Sequence, residues 1–338
     1  MCHNNVSDRK PNACILLITL SCNLPCKICY HWQNDESYIR RPTIKQWKDF
    51  ITSLKSEVDE PFRIIFGGGE PLLFKKELIE LISFSEKQGY STSLATSGYL
   101  IDEEFCRQVS RAGLSNIALT MYSLDEKTHD FLRIKGSYKK LMESINNLNR
   151  FSKGLSIAID TVIMAPNLGD IINLTQWVFR NKVLSAIFFQ AVVQPFHTPP
   201  IKKWYNSNDF GFLWPGNNGR VQSVIDELIE IKRRSLVNGT DRINNPVNQL
   251  EAFKRYFSNA GFIKRTVCNV LSGSIFVISP DGDLRLCPYM EPLGNIKRDK
   301  FKDIWNSQQG DKLHRQIISC KKNCHHIVNC WYEEDQMY

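Results

Sequence analysis

The sequence predicts an α/β fold: a partial (β/α)6 barrel of the TIM type, followed by a small C-terminal β-hairpin and helix domain. Three observations carry this expectation. Six short apolar runs alternate with segments of helical period between residues 13 and 193, and such alternation implies parallel strands joined by right-handed crossovers. The runs are continuously apolar, as in strands covered on both faces. A closed eight-unit barrel needs roughly 250 residues, so six units leave the cylinder open on one side. A doubly wound open sheet is the competing arrangement. In both, ligands gather at the C-terminal ends of the strands.

The elements follow in order. ACILLITL (residues 13–20) is the first strand, and TIKQWKDFITSLKSEV is a helix with Thr43 as its cap. FRIIF (62–66) is the second strand, and KKELIELISFSEKQG is a helix closed by Gly89. STSLAT (91–96) precedes a helix capped by Asp102, and SNIALTMYS (115–123) precedes a helix around residues 139–151. LSIAIDTVIM (155–164) leads into GDIINLTQWVFRNK, and AIFFQAVV (186–193) is the sixth strand. Residues 196–262 change character: loops rich in Pro, Gly, Asn and aromatic residues, then helices over 218–236 and 249–257. The aromatic stretch Trp204–Trp214 is expected to line a pocket or to pack across the open side of the barrel. Three units result: a core over 1–195, a connecting segment over 196–262 and a C-terminal domain over 263–338.

The bulk properties exclude several classes. A chain of 338 residues buries roughly three quarters of its unfolded surface. Its apolar runs are too short to span a bilayer and its N-terminus lacks an apolar signal core, so a soluble, cytoplasmic protein is expected. The net charge of +8 is spread along the chain. It fits an anionic substrate or cofactor, and no nucleic-acid-reading module accompanies it. The eleven cysteines, in a reducing compartment, point to metal or redox chemistry rather than disulfides.

Their placement sharpens this. Cys22, Cys26 and Cys29 follow the first strand, in CNLPCKIC. One loop with this spacing can wrap three thiolates around one centre. Iron–sulfur clusters usually take four cysteines, so three leave one iron open for a ligand. Zinc is the alternative, but it wants a fourth ligand, and His31 is poorly placed to supply it. IIFGGGEPLL then puts Gly67, Gly68, Gly69 and Glu70 at the end of the second strand, on the same rim. Glycines admit a ligand close to the backbone, and carbonyls with a carboxylate can accept from an ammonium group. A tight strand-to-helix turn is the plainer reading of these glycines.

Together these motifs resemble the radical S-adenosylmethionine enzymes: CNLPCKIC is similar to their cluster-binding motif and GGGEP to their methionine-binding motif. The resemblance extends over nearly the whole chain. It implies that Cys22, Cys26 and Cys29 hold a [4Fe-4S] cluster whose open iron chelates S-adenosylmethionine. One electron then gives a 5′-deoxyadenosyl radical, which abstracts hydrogen. An external electron donor such as flavodoxin or ferredoxin would supply that electron. The resemblance also assigns cofactor contacts to Ser97 in the TSG turn, to Ser123 and Arg133 in the segment after strand four, and to Asn167 after strand five. For Arg133, a surface charge is an equal alternative. The residue before the third cysteine, usually aromatic in the family, is Ile28. Its backbone would meet the adenine, with Tyr30 or Trp32 supplying stacking.

The last quarter holds Cys268, Cys287, Cys320, Cys324 and Cys330, with a hairpin turn at Pro280-Asp281-Gly282. This order resembles the SPASM and twitch auxiliary-cluster domains. Five cysteines fit the shorter twitch type, with one auxiliary [4Fe-4S] cluster; zinc is again the alternative. Cys14 and Cys106, with apolar neighbours, are expected in the core. The implied activity is a radical enzyme acting on a small-molecule biosynthetic substrate. A peptide-modifying maturase is the alternative, disfavoured because no leader-recognition domain fits ahead of Cys22. A non-enzymatic iron–sulfur or zinc protein is the third reading.

Overall fold

The computed structural model describes residues 10–36, 39–216, 219–260, 275–320 and 324–329. The first half runs β1 (Ala13–Thr19), α1 (Ile44–Ser53), β2 (Arg63–Gly68), α2 (Lys75–Lys87), β3 (Ser91–Thr96), α3 (Glu103–Ala112) and β4 (Asn116–Thr120). It continues through α4 (Glu126–Leu132), α5 (Ser137–Phe151), β5 (Ser156–Ile163), α6 (Ile171–Arg180) and β6 (Leu184–Ala191). The remainder comprises α7 (Gly219–Val237), α8 (Val247–Ser258), β7 (Ile275–Ile278), β8 (Asp283–Arg285), β9 (Gly294–Asn295), α9 (Phe301–Trp305) and α10 (Gln308–Ile318).

The strands form one open sheet in the order β6-β5-β4-β3-β2-β1-β7-β8-β9. Strands β1 to β6 are parallel and lie in chain order without reversal. A doubly wound sheet reverses its order at a switch point; the run from β1 to β6 contains no such reversal. Every crossover therefore turns the same way and puts its helix on one face, as in a partial barrel.

Local chemistry sets the helix boundaries. Thr43 and Gln46 form a capping box at the start of α1. Asp102 accepts from Phe105 N–H at 2.7 Å to cap α3, and Gly113, at φ 87°, closes that helix in the left-handed conformation.

Alternation along the strands separates two environments. On β5, Ile157, Ile159, Thr161 and Ile163 are buried under the helices, while Ala158, Asp160 and Val162 face the barrel lumen and are only partly covered. Cys14 and Cys106 are both fully buried in the core, as expected.

One feature extends the sequence reading, and a second settles between its two alternatives. The hairpin β7–β8 forms around Pro280-Asp281-Gly282 as expected, but β7 also pairs in parallel with β1, so the hairpin continues the barrel sheet. The aromatic stretch mainly packs: Trp214 sits edge-on to Trp204 at 5.8 Å and to Tyr256 of α8 at 5.1 Å. Trp204 is itself buried. Phe210 reaches the cysteine loop, 5.8 Å from Tyr30, and Phe212 lies 6.2 Å from Phe131 of α4.

Candidate functional site

The end of β1 is gathered by a residue that motif reasoning passed over. Glu36 accepts from Thr19 Oγ1 and Leu20 N–H, and from Ser21 Oγ at 3.2 Å. Its distance in sequence from β1 gave no signal. The cysteine loop starts from this anchored point. Cys26 N–H donates to Leu24 O at 2.9 Å and Cys29 N–H to Cys26 O at 3.3 Å, so successive turns coil Cys22, Cys26 and Cys29 together. Lys27 N–H donates to Leu132 O at 2.9 Å, tying the loop to the end of α4 beside Arg133. Burial pushes the Cys22 thiol up to about 11, Cys29 to about 12, and Cys26 in the same direction. Only a bound cation's charge would draw these protons off near neutrality. Among the described residues, no three His, Cys, Asp or Glu side chains converge on a point that could hold a single metal ion.

The three glycines have different reasons to be glycine. A Cβ on Gly68, at φ 135°, would lie 2.0 Å from Thr19 O, and one on Gly69 would lie 2.2 Å from Ser21 O. These two are required by the close approach of the β1 backbone, which also accepts from Gly69 N–H at 2.7 Å and Glu70 N–H at 2.9 Å. A Cβ on Gly67 would meet nothing within 4 Å. Alternation along β2 turns Gly67 toward the lumen, so it alone leaves a space that a ligand can use.

The carboxylate of Glu70 is fully buried. Oε1 accepts from Thr96 Oγ1 at 2.7 Å and Leu72 N–H at 3.1 Å, while Oε2 accepts from Ser97 Oγ at 2.5 Å and Ser97 N–H at 3.0 Å. Four donors fill its acceptor sites. The sequence reading had this carboxylate accept from an ammonium group; here it fastens the end of β3 instead, and only backbone carbonyls remain for that task. Ser97 is likewise engaged. Ser123 donates to Asp170 Oδ2 at 2.6 Å and is buried. Asn167 donates to Tyr122 O at 2.7 Å and Val162 O at 2.8 Å and accepts from Met164 N–H at 3.0 Å. Ser123 and Asn167 thus brace the ends of β4 and β5, with their side chains already committed.

Arg133 is different. It is 6 % exposed, which overturns its reading as a surface charge. Its guanidinium lies over Tyr122 at 4.9 Å, Nη1 reaches Ser97 O at 3.5 Å, and Nε is buried with no hydrogen-bond partner. Burial works against its charge, and Tyr122, Cys26 and Glu70 outweigh that and hold it protonated. His129 beneath it is held neutral, its pKa lowered to about 3 by burial and then by Arg133. A buried cation with a spare donor, beside three thiols, is a receptor for an anion.

The rim continues toward the C-terminal cysteines. Tyr30 N–H donates to Phe196 O at 3.1 Å, and Cys29 forms an isolated β-bridge with Phe196. His31 stands 4.1 Å from His197, whose φ of 62° is left-handed. Phe196 stacks on His326 at 5.2 Å, and His326 lies 5.8 Å from Tyr289. The phenol of Tyr289 is raised by burial and then by Cys324 and Cys287, which places both thiols near it. Cys320 is exposed at the end of α10, and Cys268 and Cys330 lie outside the described residues. Ile28 packs against the core behind the first loop. No helix among the described residues is long and apolar enough to cross a membrane.

Known proteins share these features. Residues 16–177 match the family model described as the radical SAM superfamily, and residues 268–331 match SPASM, an iron–sulfur cluster-binding domain. The chain is similar to Fe-coproporphyrin III synthase of Methanosarcina barkeri, 26% identical over 185 residues, 55% of this chain and 45% of that protein. It thus spans less than half the length of that relative. It is also similar to GTP 3′,8-cyclase of Clostridium botulinum, 25% identical over 95% of this chain and 93% of that protein. Among solved structures, anSMEcpe with bound AdoMet and Cp18Cys peptide superposes with a TM-score of 0.65 at 17% identity, covering 95% of this chain and 88% of that one. That likeness is one of fold.

Proposed function

For a chain whose residues 16–177 match the radical SAM superfamily and whose residues 268–331 match SPASM, we propose an enzyme that cleaves S-adenosylmethionine reductively and abstracts hydrogen from a small-molecule biosynthetic substrate. The family and domain imply [4Fe-4S] clusters and S-adenosylmethionine as cofactors. The donor set fits them: Cys22, Cys26 and Cys29 are the thiols that would hold the first cluster, and Cys287 and Cys324 are candidates for the auxiliary one. When bound, the first cluster supplies the electron that releases the 5′-deoxyadenosyl radical.

The chain's own residues do the positioning. The observation that carries the reading is Arg133: a buried guanidinium with a free Nε beside Cys26, suited to a carboxylate such as that of S-adenosylmethionine. Gly67 leaves room on the inner face of β2, and the carbonyls of the Gly67–Gly69 turn are acceptors for an amino group. Glu70 and Asn167 hold the strand ends rigid, so these groups are in place before a ligand arrives. The small-molecule reading gains support from a relative aligned over nearly its full length whose name is that of a nucleotide cyclase.

The test is anaerobic reconstitution with iron and sulfide, then addition of S-adenosylmethionine and dithionite. 5′-Deoxyadenosine is expected from the wild type and none from Cys26→Ala. An iron-loaded wild type that forms none sinks the proposal. Turnover of a leader-bearing peptide, with none of small molecules, would transfer the reading to a maturase.

A further inference from the structure

The lumen of the barrel holds a polar group that nothing above uses. Asp160 is the fifth residue of β5 and faces inward; directly beside it are Thr120 on β4 and Phe188 on β6. Two residues further along β6, on the same face, stands Gln190, which pairs with Val162. The side chains of Asp160, Thr120 and Gln190 are partly covered, and none has a hydrogen-bond partner among the described residues. Polar groups inside a fold are normally satisfied. These three are partly covered and not sealed in the core; on adjacent strands and facing one space, they offer a ligand that displaces water a set of hydrogen bonds the protein does not make itself.

Their height matches the cofactor rim. The rung Thr96–Leu119–Ile159 crosses three strands, and the pair Thr120–Asp160 is the next step along. Asp160 is thus level with Ser97, the residue that fastens Glu70. On β3, on β4 and one step back along β5 the inward positions are small, at Ser93, Ala95, Ala118 and Ala158, while Phe188 and Val162 flank Asp160 on the other side. Room for a ligand therefore lies over β3 and β4.

We propose that Asp160, with Thr120 and Gln190, forms the substrate-orienting floor of the barrel and takes a hydrogen-bond donor, an ammonium or vicinal hydroxyls. This names the substrate class for the function proposed above and rests on that reading. An ionised carboxylate is acceptor-only and repels a second anion. Where Asp160 is ionised, above about pH 7, it excludes a carboxylate or phosphate from the floor, and the binding comparison below is made there. The carboxyl of Asp160 is pushed up to about 7 by burial alone, and a donor from the ligand would supply the compensation that the protein withholds.

Three probes on one ring separate the possibilities: cyclohexylammonium, cis-1,2-cyclohexanediol and cyclohexanecarboxylate. Binding is followed by saturation-transfer NMR on the reconstituted holoenzyme with S-adenosylmethionine present. The ammonium and the diol are expected to bind and the carboxylate not. Asp160→Asn should weaken the ammonium about ten- to a hundredfold, the worth of one charge-assisted hydrogen bond. Wild-type protein gives an independent measure: carbodiimide coupling of cyclohexylamine should form an amide at Asp160, located by peptide mass mapping. Binding of the carboxylate as tight as the ammonium, an unchanged affinity in Asp160→Asn, or labelling confined to surface carboxylates overturns the inference. 5′-Deoxyadenosine is measured in the same wild-type samples. If it forms while the ammonium does not bind, the floor is refuted and the radical chemistry stands.

Discussion

Replacing Gly67 and Gly69 separately by alanine divides stability from binding within one tripeptide. At Gly69 the new methyl would lie 2.2 Å from Ser21 O and 2.4 Å from Leu20 O, both backbone atoms of the anchored loop. Relief requires the strand ends to part by at least about 1 Å, since optimal non-bonded carbon contacts sit at about 3.5–4.0 Å. That separation breaks the hydrogen bonds from Gly69 N–H to Thr19 O at 2.7 Å and from Glu70 N–H to Ser21 O at 2.9 Å. Two backbone bonds at about 1 kcal/mol each, plus about 1–3 kcal/mol for overpacking, sum to about 3–5 kcal/mol. At about 2 °C per kcal/mol, the melting temperature should fall by roughly 6–10 °C. At Gly67 the methyl meets nothing within 4 Å, and the expected change in stability is under about 0.5 kcal/mol. S-Adenosylmethionine, however, would meet that methyl, and its dissociation constant should rise at least about tenfold. Circular dichroism melts of the apo-proteins and equilibrium dialysis of the reconstituted ones measure the two effects. A Gly69→Ala protein that melts with the wild type, or a Gly67→Ala protein that binds the cofactor normally, refutes the division of labour among these glycines.

Three further outcomes are expected. Arg133→Met should lower S-adenosylmethionine affinity by about ten- to a hundredfold while leaving the melting temperature level or raised, because it removes a buried, incompletely paired charge; dialysis and melting decide. Asn167→Ala removes three short hydrogen bonds at the tops of β4 and β5 and should cost about 2–4 kcal/mol in urea unfolding. For Asp160 the folded pKa lies above the unfolded one, so the folded state binds the extra proton. Its stabilising contribution is complete below about pH 4 and is lost as pH rises to about 7. Wild-type stability minus that of Asp160→Asn should therefore decline across this window by a few kcal/mol at most and be flat above it. Thr120 and Phe188, its register neighbours on β4 and β6, carry no charge that would distort the curve.

The parts of this molecule that sequence revealed are those with local causes. Apolar runs specified the six barrel strands, and Thr43, Asp102 and Gly89 punctuate helices through their own side chains or backbone freedom. The cysteine and glycine motifs marked the rim because their spacing is short. What stayed hidden depends on partners distant in the chain. Nothing near Glu36 in the sequence announces that it accepts from the end of β1, and the burial of Arg133 follows from how α4 settles against the cysteine loop. Asn167 and Ser123 stand just past β5 and β4, and their donors and acceptors turn to backbone and Asp170. Helix α10 was missed because its apolar positions are sparse among polar residues. Asp160 sits within a strand dominated by Ile, Ala and Val, and nothing local marks it as facing inward.

The pairing of β7 with β1 bears on how the polypeptide is made. Ala13 to Leu16 align with Ile275 to Ile278, so one side of the first strand waits for residues that leave the ribosome some 260 positions later. Throughout that interval its unpaired amides are an open template for a foreign strand. Synthesis of this protein should therefore lean on chaperones until the hairpin arrives, and fragments ending before residue 275 should be caught in aggregates even though all six barrel units are present.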